Sequence, residues 1–234
     1  MKELRVSEYA IEMRGITKTF PGVRALDQIS FSLKKHDVLG IVGENGAGKS
    51  TLFKIISGVL AQDVGSVKLN GKKYHSHNYN EATKFGIFQI FQNSALIQTM
   101  PVYENILIGY EKMFSYFGIQ NKREMILLVQ KKLNEYDLKV DPKSMILELD
   151  ISTQKMIEII RALTIFDFVR ADNLILLFDE PTSFLKKDDV DRLFDIIEKI
   201  KKRASIMFIS HRLKEIITLC ETYLVLKDGK LIDQ

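Results

Sequence analysis

The residues from Gly43 to Ser50, Gly-Glu-Asn-Gly-Ala-Gly-Lys-Ser, constrain this chain more than any other stretch. They match the phosphate-loop pattern G-x-x-x-x-G-K-[S/T] at every fixed position. The apolar run 38–42 before them predicts a buried strand, and the apolar spacing of 52–56, closed by Gly58, predicts a helix. A strand, a glycine loop and a helix start turn backbone N–H groups toward a polyphosphate. The stretch therefore predicts nucleotide binding, against the plainer alternative of a glycine turn that only joins a strand to a helix.

The side chains of this loop have separate expected tasks. Glycines 43, 46 and 48 permit a positive φ and a close approach of the backbone. Lys49 reaches the β- and γ-phosphates, and the Ser50 hydroxyl is placed to ligate Mg²⁺.

A second apolar run ends in two acids. Residues 173–178 predict a fully buried parallel strand, which delivers Asp179 and Glu180 to the carboxyl edge of a sheet. In a chain with a phosphate loop, we expect Asp179 to hold Mg²⁺ through water and Glu180 to polarise the attacking water. The alternative is a coincidental strand end.

Two more predicted strands end in polar side chains. The run 206–209 is followed by Ser210 and His211, and the run 86–92 ends at Gln92. A lone histidine is usually structural, but at this edge His211 could contact the γ-phosphate. Gln92 has the same two interpretations, a ligand at the binding edge or an ordinary surface glutamine.

Phe20 lies in a predicted turn, Thr19-Phe20-Pro21-Gly22-Val23, between alternating segments that predict strands over 10–13 and 29–33. Its ring is either part of the core or the flat surface on which a purine base stacks. Further along, Asn70-Gly71 between alternating residues predicts a hairpin over 66–74, and 223–232 predicts another.

From about 101 to 147 the character of the chain changes. Residues 102–106 predict a helix start, and the three- and four-residue spacing of Ile126, Val129, Leu133 and Tyr136 predicts one apolar helix face. No strand pattern is evident there, so the stretch is interpreted as an inserted helical subdomain. Residues 152–168 predict a second amphipathic helix, and the spacing of Val190, Leu193, Phe194 and Ile197 predicts a third.

Bulk composition limits the class of protein. The chain has 234 residues, a net charge of +4 and no apolar run near the ~20 residues that span a bilayer. We expect one large domain, or one domain with an insertion, that is cytosolic and reaches a membrane only through a partner. The single cysteine, Cys220, excludes an internal disulfide and is expected to pack rather than react. His75 and His77 have no cysteine or carboxylate at the spacing of metal ligands, so they are interpreted as loop residues and not as a metal site.

Taken together, these stretches resemble the nucleotide-binding domain of an ABC transporter, over nearly the whole chain. The nearest type is the importer subunit for simple sugars such as ribose, galactose or xylose. The segments that indicate it are 18–26, 42–51 and 102–106. The implied fold is a P-loop α/β domain of 1–234, with a mixed or parallel sheet core over 1–100 and 148–234. An N-terminal antiparallel β subdomain and an inserted helical subdomain at about 101–147 complete it.

The resemblance also implies a function and a site. The function is ATP binding and hydrolysis that powers an importer on the inner face of the cell membrane, with Mg²⁺ as cofactor. The implied partners are transmembrane permease subunits, which the helical insertion contacts, a second ABC domain and, indirectly, a sugar-binding protein outside the membrane; no nucleic acid is expected. The implied nucleotide contacts are Phe20, Val23, Gly43, Glu44, Asn45, Gly46, Ala47, Gly48, Lys49, Ser50, Thr51 and Gln92; the metal ligands are Ser50, Gln92 and Asp179; the catalytic residues are Glu180 and His211.

Three places depart from the family pattern. The signature Leu-Ser-Gly-Gly-Gln aligns with Leu149-Asp150-Ile151-Ser152-Thr153-Gln154, so a carboxylate and a Cβ stand where a helix start grips the phosphate of the opposite domain. Repulsion there is expected to cost on the order of 1 kcal/mol or more, although Asp150 or Ser152 could also be a simple N-cap. The second departure is Ser183-Phe184-Leu185-Lys186, where the family usually has Ala second and often Asp fourth. The third is Asn93, where the sugar type usually has Glu.

Two rival functions stay open at this point. The degenerate signature favours a non-hydrolysing ATP-binding regulator, whereas Glu180 and His211 argue against it. A soluble ABC ATPase acting on DNA or ribosomes is disfavoured by the mild charge and by 102–106. Importer subunits of this type usually carry two such domains, so the chain is expected to be a fragment, a split gene product or a half-size subunit.

Overall fold

The computed structural model describes residues 7–91, 95–169, 173–183 and 185–233, with Tyr116 described by its backbone alone. The strands are β1 Tyr9–Phe20, β2 Val23–Lys34, β3 Val38–Val42, β4 Val64–Leu69, β5 Lys72–Tyr74, β6 Ile87–Ile90, β7 Ser115–Tyr116, β8 Ile119–Gln120, β9 Leu174–Asp179, β10 Ala204–Ile209, β11 Thr222–Lys227 and β12 Lys230–Asp233. The helices are α1 Lys49–Ile56, α2 Tyr79–Lys84, α3 Val102–Leu107, α4 Lys122–Glu135, α5 Ile151–Phe168, α6 Lys187–Ile200 and α7 Leu213–Leu219, with 3-10 turns at Glu111–Phe114 and Ile146–Glu148.

The described residues fall into two compact units. The first takes residues from Met1–Gln89, Ala171–Pro181 and Ile197–Gln234, and the second from Ile90–Arg170 and Thr182–Ile196. The division into a core over 1–100 and 148–234 with an insertion at 101–147 stays a prediction.

The first unit contains an antiparallel sheet of four strands in the order β2-β1-β4-β5. Strands β1 and β2 form a long hairpin around the turn predicted at Pro21-Gly22, and Phe20 pairs with Val23 across that turn. Both strands are longer than the sequence predicted, because their exposed ends lack the alternation that marks a half-buried strand. The hairpin predicted at Asn70-Gly71 joins β4 to β5, and Asn70 has a φ of 50°.

A six-stranded mixed sheet, ordered β12-β11-β3-β10-β9-β6, holds the apolar runs that predicted buried strands. Strands β9 and β10 are buried at every position, as expected for parallel strands covered on both faces. Its core includes Leu52 and Phe53 of α1 with Ile41, Ile175 and Ile209 of the central strands. Each side chain of this size contributes about 1.5–3 kcal/mol on full burial.

The second unit contains α3, α4 and α5. Helix α4 buries Met125, Val129 and Leu133, whose spacing of four residues sets the buried face, whereas Ile126 is only half-buried at its margin. Tyr136, predicted on the same face, follows the helix as its C-cap residue and is also buried.

Helix α5 differs from the amphipathic helix that was predicted. Met156, Ile157, Ile160 and Leu163 are buried, but so are residues on other sides of the helix, including Ile159 and Thr164. A helix that is apolar around most of its circumference is enclosed by its surroundings instead of lying on a surface.

Two short strands correct the prediction that 101–147 has no strands. Strands β7 and β8 pair as a hairpin across Phe117 and Gly118. Each strand has two residues, too few to create an alternating pattern in the sequence. Among the described residues, no helix combines the length and the apolar character that a membrane crossing requires.

Candidate nucleotide site

Strand register brings three predicted site segments to one sheet edge. Ile209 of β10 pairs with Asp179 of β9 on one side and with Ile41 of β3 on the other. All three strands are parallel, so their carboxyl ends lie level. The phosphate loop, the two acids and His211 therefore follow neighbouring strand ends, which is where ligands bind in open α/β sheets.

The glycines of the phosphate loop are needed for two different reasons. Gly46 and Gly48 have φ values of 85° and 101°, which side chains rarely adopt. A Cβ on Gly48 would lie 2.4 Å from the Ala25 carbonyl oxygen. Gly43 instead meets the close-approach requirement, because a Cβ there would lie 2.3 Å from the Leu226 carbonyl oxygen.

Lys49 lies inside this loop. Its Nζ donates to the carbonyl oxygens of Gly43 and Glu44 at 2.7 and 2.9 Å, and the residue is only 6% exposed. An ammonium buried among backbone dipoles concentrates positive charge where Gly43 to Ser50 curves. This placement suits an anion with several negative oxygens.

The start of α1 is open to such an anion. Helix α5 is N-capped by Asp150, whose carboxylate accepts a hydrogen bond from the Thr153 N–H. Helix α1 follows Gly48 with no side-chain cap and no acid in its first turn. Its first N–H groups and its positive dipole end are therefore available to a phosphate.

Ser50 and Asp179 fit a magnesium ion. The Ser50 hydroxyl lies 3.4 Å from an oxygen of Asp179. Mg²⁺ takes oxygen ligands at about 2.0–2.1 Å in an octahedron, so neighbouring ligand oxygens lie roughly 3 Å apart. A hydroxyl and a carboxylate side by side match this ligand chemistry, directly or through water.

Burial raises the pKa of the Asp179 carboxyl above its usual range. The Ser50 hydrogen bond acts in the opposite direction, the Glu180 carboxylate adds to the increase, and the Lys49 ammonium opposes it. A raised pKa means that the folded chain disfavours the ionised carboxylate. A bound cation would relieve that cost.

We expect Asp179→Asn to raise the thermal midpoint of the nucleotide-free protein at pH 7. An unfolded Asp is ionised at this pH, so the raised pKa of Asp179 in the folded state lowers the free energy of unfolding, and Asn cannot ionise. Magnesium-dependent nucleotide binding should weaken in the same variant. Calorimetry and titration with and without Mg²⁺ measure both effects.

Asp63→Asn is the matched control of opposite sign. The pKa of the Asp63 carboxyl is lowered by hydrogen bonds from the Lys18 ammonium and the Thr19 N–H. The ionised Asp63 therefore stabilises the fold at a pH above the ordinary Asp pKa, and Asp63→Asn should lower the thermal midpoint. If both substitutions lower the midpoint, the electrostatic account of Asp179 is wrong.

Glu180 and His211 are brought together, as two residues of one reaction centre would be. His211 Nδ1 lies 3.4 Å from a Glu180 carboxylate oxygen. Glu180 has a φ of 48°, and its N–H donates to the Ile209 carbonyl at 3.0 Å. A non-glycine residue in this region is uncommon and clusters at functional sites.

Sequence reasoning named Ser210 only as a polar residue at a strand end, and it missed Arg212 and Glu215, which together with Ser210 fix the turn carrying His211. Ser210 donates from its hydroxyl to Glu215 at 2.6 Å and accepts from the Arg212 N–H at 3.0 Å. Glu215 is buried and also lies 3.2 Å from the Arg212 guanidinium. The three-residue spacing of Arg212 and Glu215, which is typical of a local ion pair, was the signal in the sequence that could have indicated them.

Phe20 and Val23 lie at the turn of the first hairpin, 39% and 61% exposed. The Lys18 ammonium lies 5.8 Å from the centre of the Phe20 ring. Strand β2 continues from Val23 to Ala25, whose carbonyl is the group closest to a Cβ built on Gly48. An exposed ring on the strand that touches the phosphate loop favours the stacking interpretation over the core interpretation.

We expect Phe20→Ala to weaken ATP binding about tenfold while affecting inorganic triphosphate far less. Stacking of a base on an aromatic ring contributes roughly 1–3 kcal/mol, and triphosphate has no base to stack. Phe85→Ala, which removes another exposed ring of the first unit, should leave both affinities unchanged. Equal losses for ATP and triphosphate would contradict stacking.

The remaining predicted contacts are placed as follows. Glu44, Asn45 and Gly46 are exposed, Ala47 is buried and Thr51 is half-buried at the start of α1. Gln92, Asn93 and Phe184 lie outside the described residues.

Two departures from the family pattern meet in the second unit. Asp150 N-caps α5, and its other oxygen lies 2.5 Å from the Lys186 ammonium. The lysine and the cap together lower the pKa of Asp150 to about 2. Ser152 donates to Asp189 and accepts from the Lys186 N–H at 3.2 Å. The negative charge predicted at this helix start is thus paired with a cation.

The family model described as ABC transporter matches residues 26–183. The galactose/methyl galactoside import ATP-binding protein MglA 1 of Photobacterium profundum is 38% identical over 230 residues, 98% of this chain and 45% of that protein. The ribose import ATP-binding protein RbsA of Caldanaerobacter subterraneus subsp. tengcongensis is 39% identical over 228 residues, 97% of this chain and 45% of that protein. The chain thus spans about half the length of these curated relatives.

Solved structures agree with the fold. A nucleotide-free ATP-binding cassette from an ABC transporter superposes with a TM-score of 0.82 at 26% identity, over 96% of this chain and 90% of that one. The ADP conformation of another cassette gives a TM-score of 0.81 at 27% identity, over 97% and 90%.

Proposed function

Since the chain belongs to the ABC transporter family, we propose that it binds and hydrolyses ATP to power an importer whose substrate is a monosaccharide. The observation that supports hydrolysis is that β3, β9 and β10 end side by side at one edge of the sheet. As a result, Asp179 lies 3.4 Å from Ser50, and His211 lies 3.4 Å from Glu180. The sugar is suggested by the names of the relatives. The family and the α/β fold, with an antiparallel sheet and a mixed sheet, are those that the sequence predicted.

In this proposal each segment has one task. Phe20 and Val23 contact the adenine, and Gly43 to Thr51 hold the phosphates. Mg²⁺ is held by Ser50, Gln92 and Asp179 and neutralises charge on the phosphates. Glu180 orients and polarises the attacking water, and His211 contacts the γ-phosphate.

The proposed partners are those of an importer. Permease subunits contact the helical insertion at 101–147, and a second ABC domain completes the site formed by the core over 1–100 and 148–234. A sugar-binding protein acts indirectly, nucleic acid is not a partner, and the chain works on the inner face of the membrane.

ATP turnover measured with and without the membrane subunits tests this function. We expect slow turnover by the chain alone and faster turnover in the assembled transporter, increased again by the transported sugar. Tight ATP binding with no turnover in either sample would contradict hydrolysis.

The second candidate is an ATP-binding regulator that does not hydrolyse. It is favoured by Asp150, whose carboxylate already accepts the Thr153 N–H at the start of α5. If that helix start faces a phosphate on the opposite domain, as the resemblance implies, the opposite site is slow or dead.

We expect Asp150→Ser to raise turnover at the site that α5 completes, by about fivefold, because it removes the carboxylate that pairs with Lys186 and leaves that ammonium for the phosphate, a change of roughly 1 kcal/mol. Folding stability should barely change, because serine is also a good N-cap and exposed ion pairs contribute little. Asp150→Asn, which keeps a cap without the charge, should behave in the same way. If neither substitution increases turnover, N-capping alone explains Asp150.

A further inference from the structure

The β7–β8 hairpin exposes an apolar tip. Phe117 is fully exposed, and Ile119 and Met113 expose 76% and 54% of their surface. The base of the hairpin is anchored, because Phe114 is buried beside Phe168, with ring centroids 6.3 Å apart, and the Asn121 N–H donates to the Phe114 carbonyl at 2.8 Å. The tip is thus an apolar projection held on a buried aromatic base.

The turn itself is unfavourable for the residue it contains. Phe117 and Gly118 have φ values of 51° and 81°, and a two-residue hairpin loop with both values positive favours Asn-Gly. A bulky side chain at positive φ is an outlier. Neither the backbone nor packing against described residues explains a phenylalanine here.

Between the two acids Glu111 and Glu124, every charged side chain of the segment that carries the tip is a cation. Residues 112–123 contain Lys112, Lys122 and Arg123 and no acid. All three cations are exposed, although Lys122 lies 3.6 Å from Glu104. Lys122 and Arg123 stand in the first turn of α4, where the helix dipole disfavours cations. We define the hairpin tip as Met113, Phe117 and Ile119 together with these three cations; it combines exposed apolar side chains with exposed positive charge.

We propose that the hairpin tip binds an anionic lipid surface directly. Apolar side chains that enter the boundary between headgroups and acyl chains, surrounded by lysines and arginines that attract anionic lipids, form the usual peripheral membrane contact. Each unfavourable feature is then explained, since Phe117 is buried in the lipid and the cations face phosphates. This contact goes beyond ATP-driven import and differs from the sequence-based expectation that only a partner reaches the membrane.

The chain contains no tryptophan, so Phe117→Trp supplies a single fluorescent reporter at the tip. The purified nucleotide-free chain is mixed with phosphatidylcholine vesicles, or with vesicles containing about a third phosphatidylglycerol, which supplies the anionic surface. We expect a blue shift with the anionic vesicles only, reversed by salt as the charges are screened. Ile217→Trp, at an exposed apolar position of α7, should not shift.

Sedimentation with the same vesicles tests the energetics. Phe117→Asn should fold at least as well as the wild type, because it creates the preferred Asn-Gly turn. It should nevertheless lose about tenfold in vesicle affinity, the effect expected of one lost apolar anchor. Arg123→Glu should lose at least about fivefold.

The proposal is wrong if the tryptophan fluorescence at position 117 does not shift, or if the chain binds both kinds of vesicle equally. It is also wrong if Phe117→Asn binds anionic vesicles with wild-type affinity. A shift that appears only when permease subunits are added, and not with vesicles, would also overturn it and identify a protein partner. None of these measurements depends on ATP binding, so failure here is distinct from failure of the proposed function.

Discussion

Lys49→Ala is expected to abolish ATP binding. The Lys49 ammonium is the buried positive charge of the phosphate loop, held by the carbonyl oxygens of Gly43 and Glu44. Each hydrogen bond to a charged group contributes about 1.5–3 kcal/mol, and two such bonds to phosphate oxygens correspond to a loss of at least about a hundredfold in affinity. Calorimetric titration with Mg-ATP measures the effect.

Lys54→Ala is the matched control. Lys54 lies one turn further along α1 and is exposed, so its loss removes the same charge from the same helix without opening the loop. The affinity of Lys54→Ala for Mg-ATP should stay within about twofold of the wild type, because an exposed charge acts weakly through solvent. Micromolar affinity in Lys49→Ala, with the fold intact, would disprove the assignment of Gly43 to Ser50 as a phosphate site.

Glu180→Gln is expected to bind ATP normally and to stall turnover. Glutamine has nearly the same shape and keeps the Glu180 N–H bond to Ile209, but its amide cannot accept a proton from water. Positioned general bases contribute about 10²–10⁴-fold to rate, so turnover in the assembled transporter should fall by at least a hundredfold. ATP affinity and turnover are measured on the same preparation.

Two further variants separate a chemical role from a structural one. Glu198→Gln removes an exposed carboxylate of α6 that pairs with Lys201, and it should leave turnover unchanged. His211→Ala removes the Glu180 partner and should reduce turnover with little effect on ATP affinity. Wild-type turnover in Glu180→Gln would exclude Glu180 as the base.

Much of the site could be predicted because its strands are short, apolar and buried. Such a run ends where a polar residue begins, so Asp179 and His211 were placed at strand ends from the sequence alone. That these strand ends lie side by side could not be predicted. Their alignment depends on the register of β3, β10 and β9, and pairing between strands that are distant in the chain leaves no local signal in the sequence. The left-handed conformation of Glu180 has the same origin, since surrounding structure imposes it.

Charge pairing was the main feature that sequence reasoning could not anticipate. The sequence presents Asp150 and Lys186 as two separate departures from the family pattern, whereas in the fold they are each other's partner. The residues lie far apart in the chain, and only the folded second unit brings them together. The sequence predicts an amphipathic α5 for a related reason, because periodicity does not reveal the neighbours that enclose a helix on several sides.

The backbone groups that pack against the phosphate loop belong to β11 and to the turn between β11 and β12. The Leu226 carbonyl limits the space at Gly43, and the Gly229 N–H donates to the Ala47 carbonyl at 3.3 Å. A ribosome therefore releases the loop long before its support is synthesised. ATP can stabilise only a state to which it binds, so it should protect the emerging chain from proteolysis only after β11 and β12 have been made. We therefore expect nucleotide to contribute nothing to the early folding of this chain.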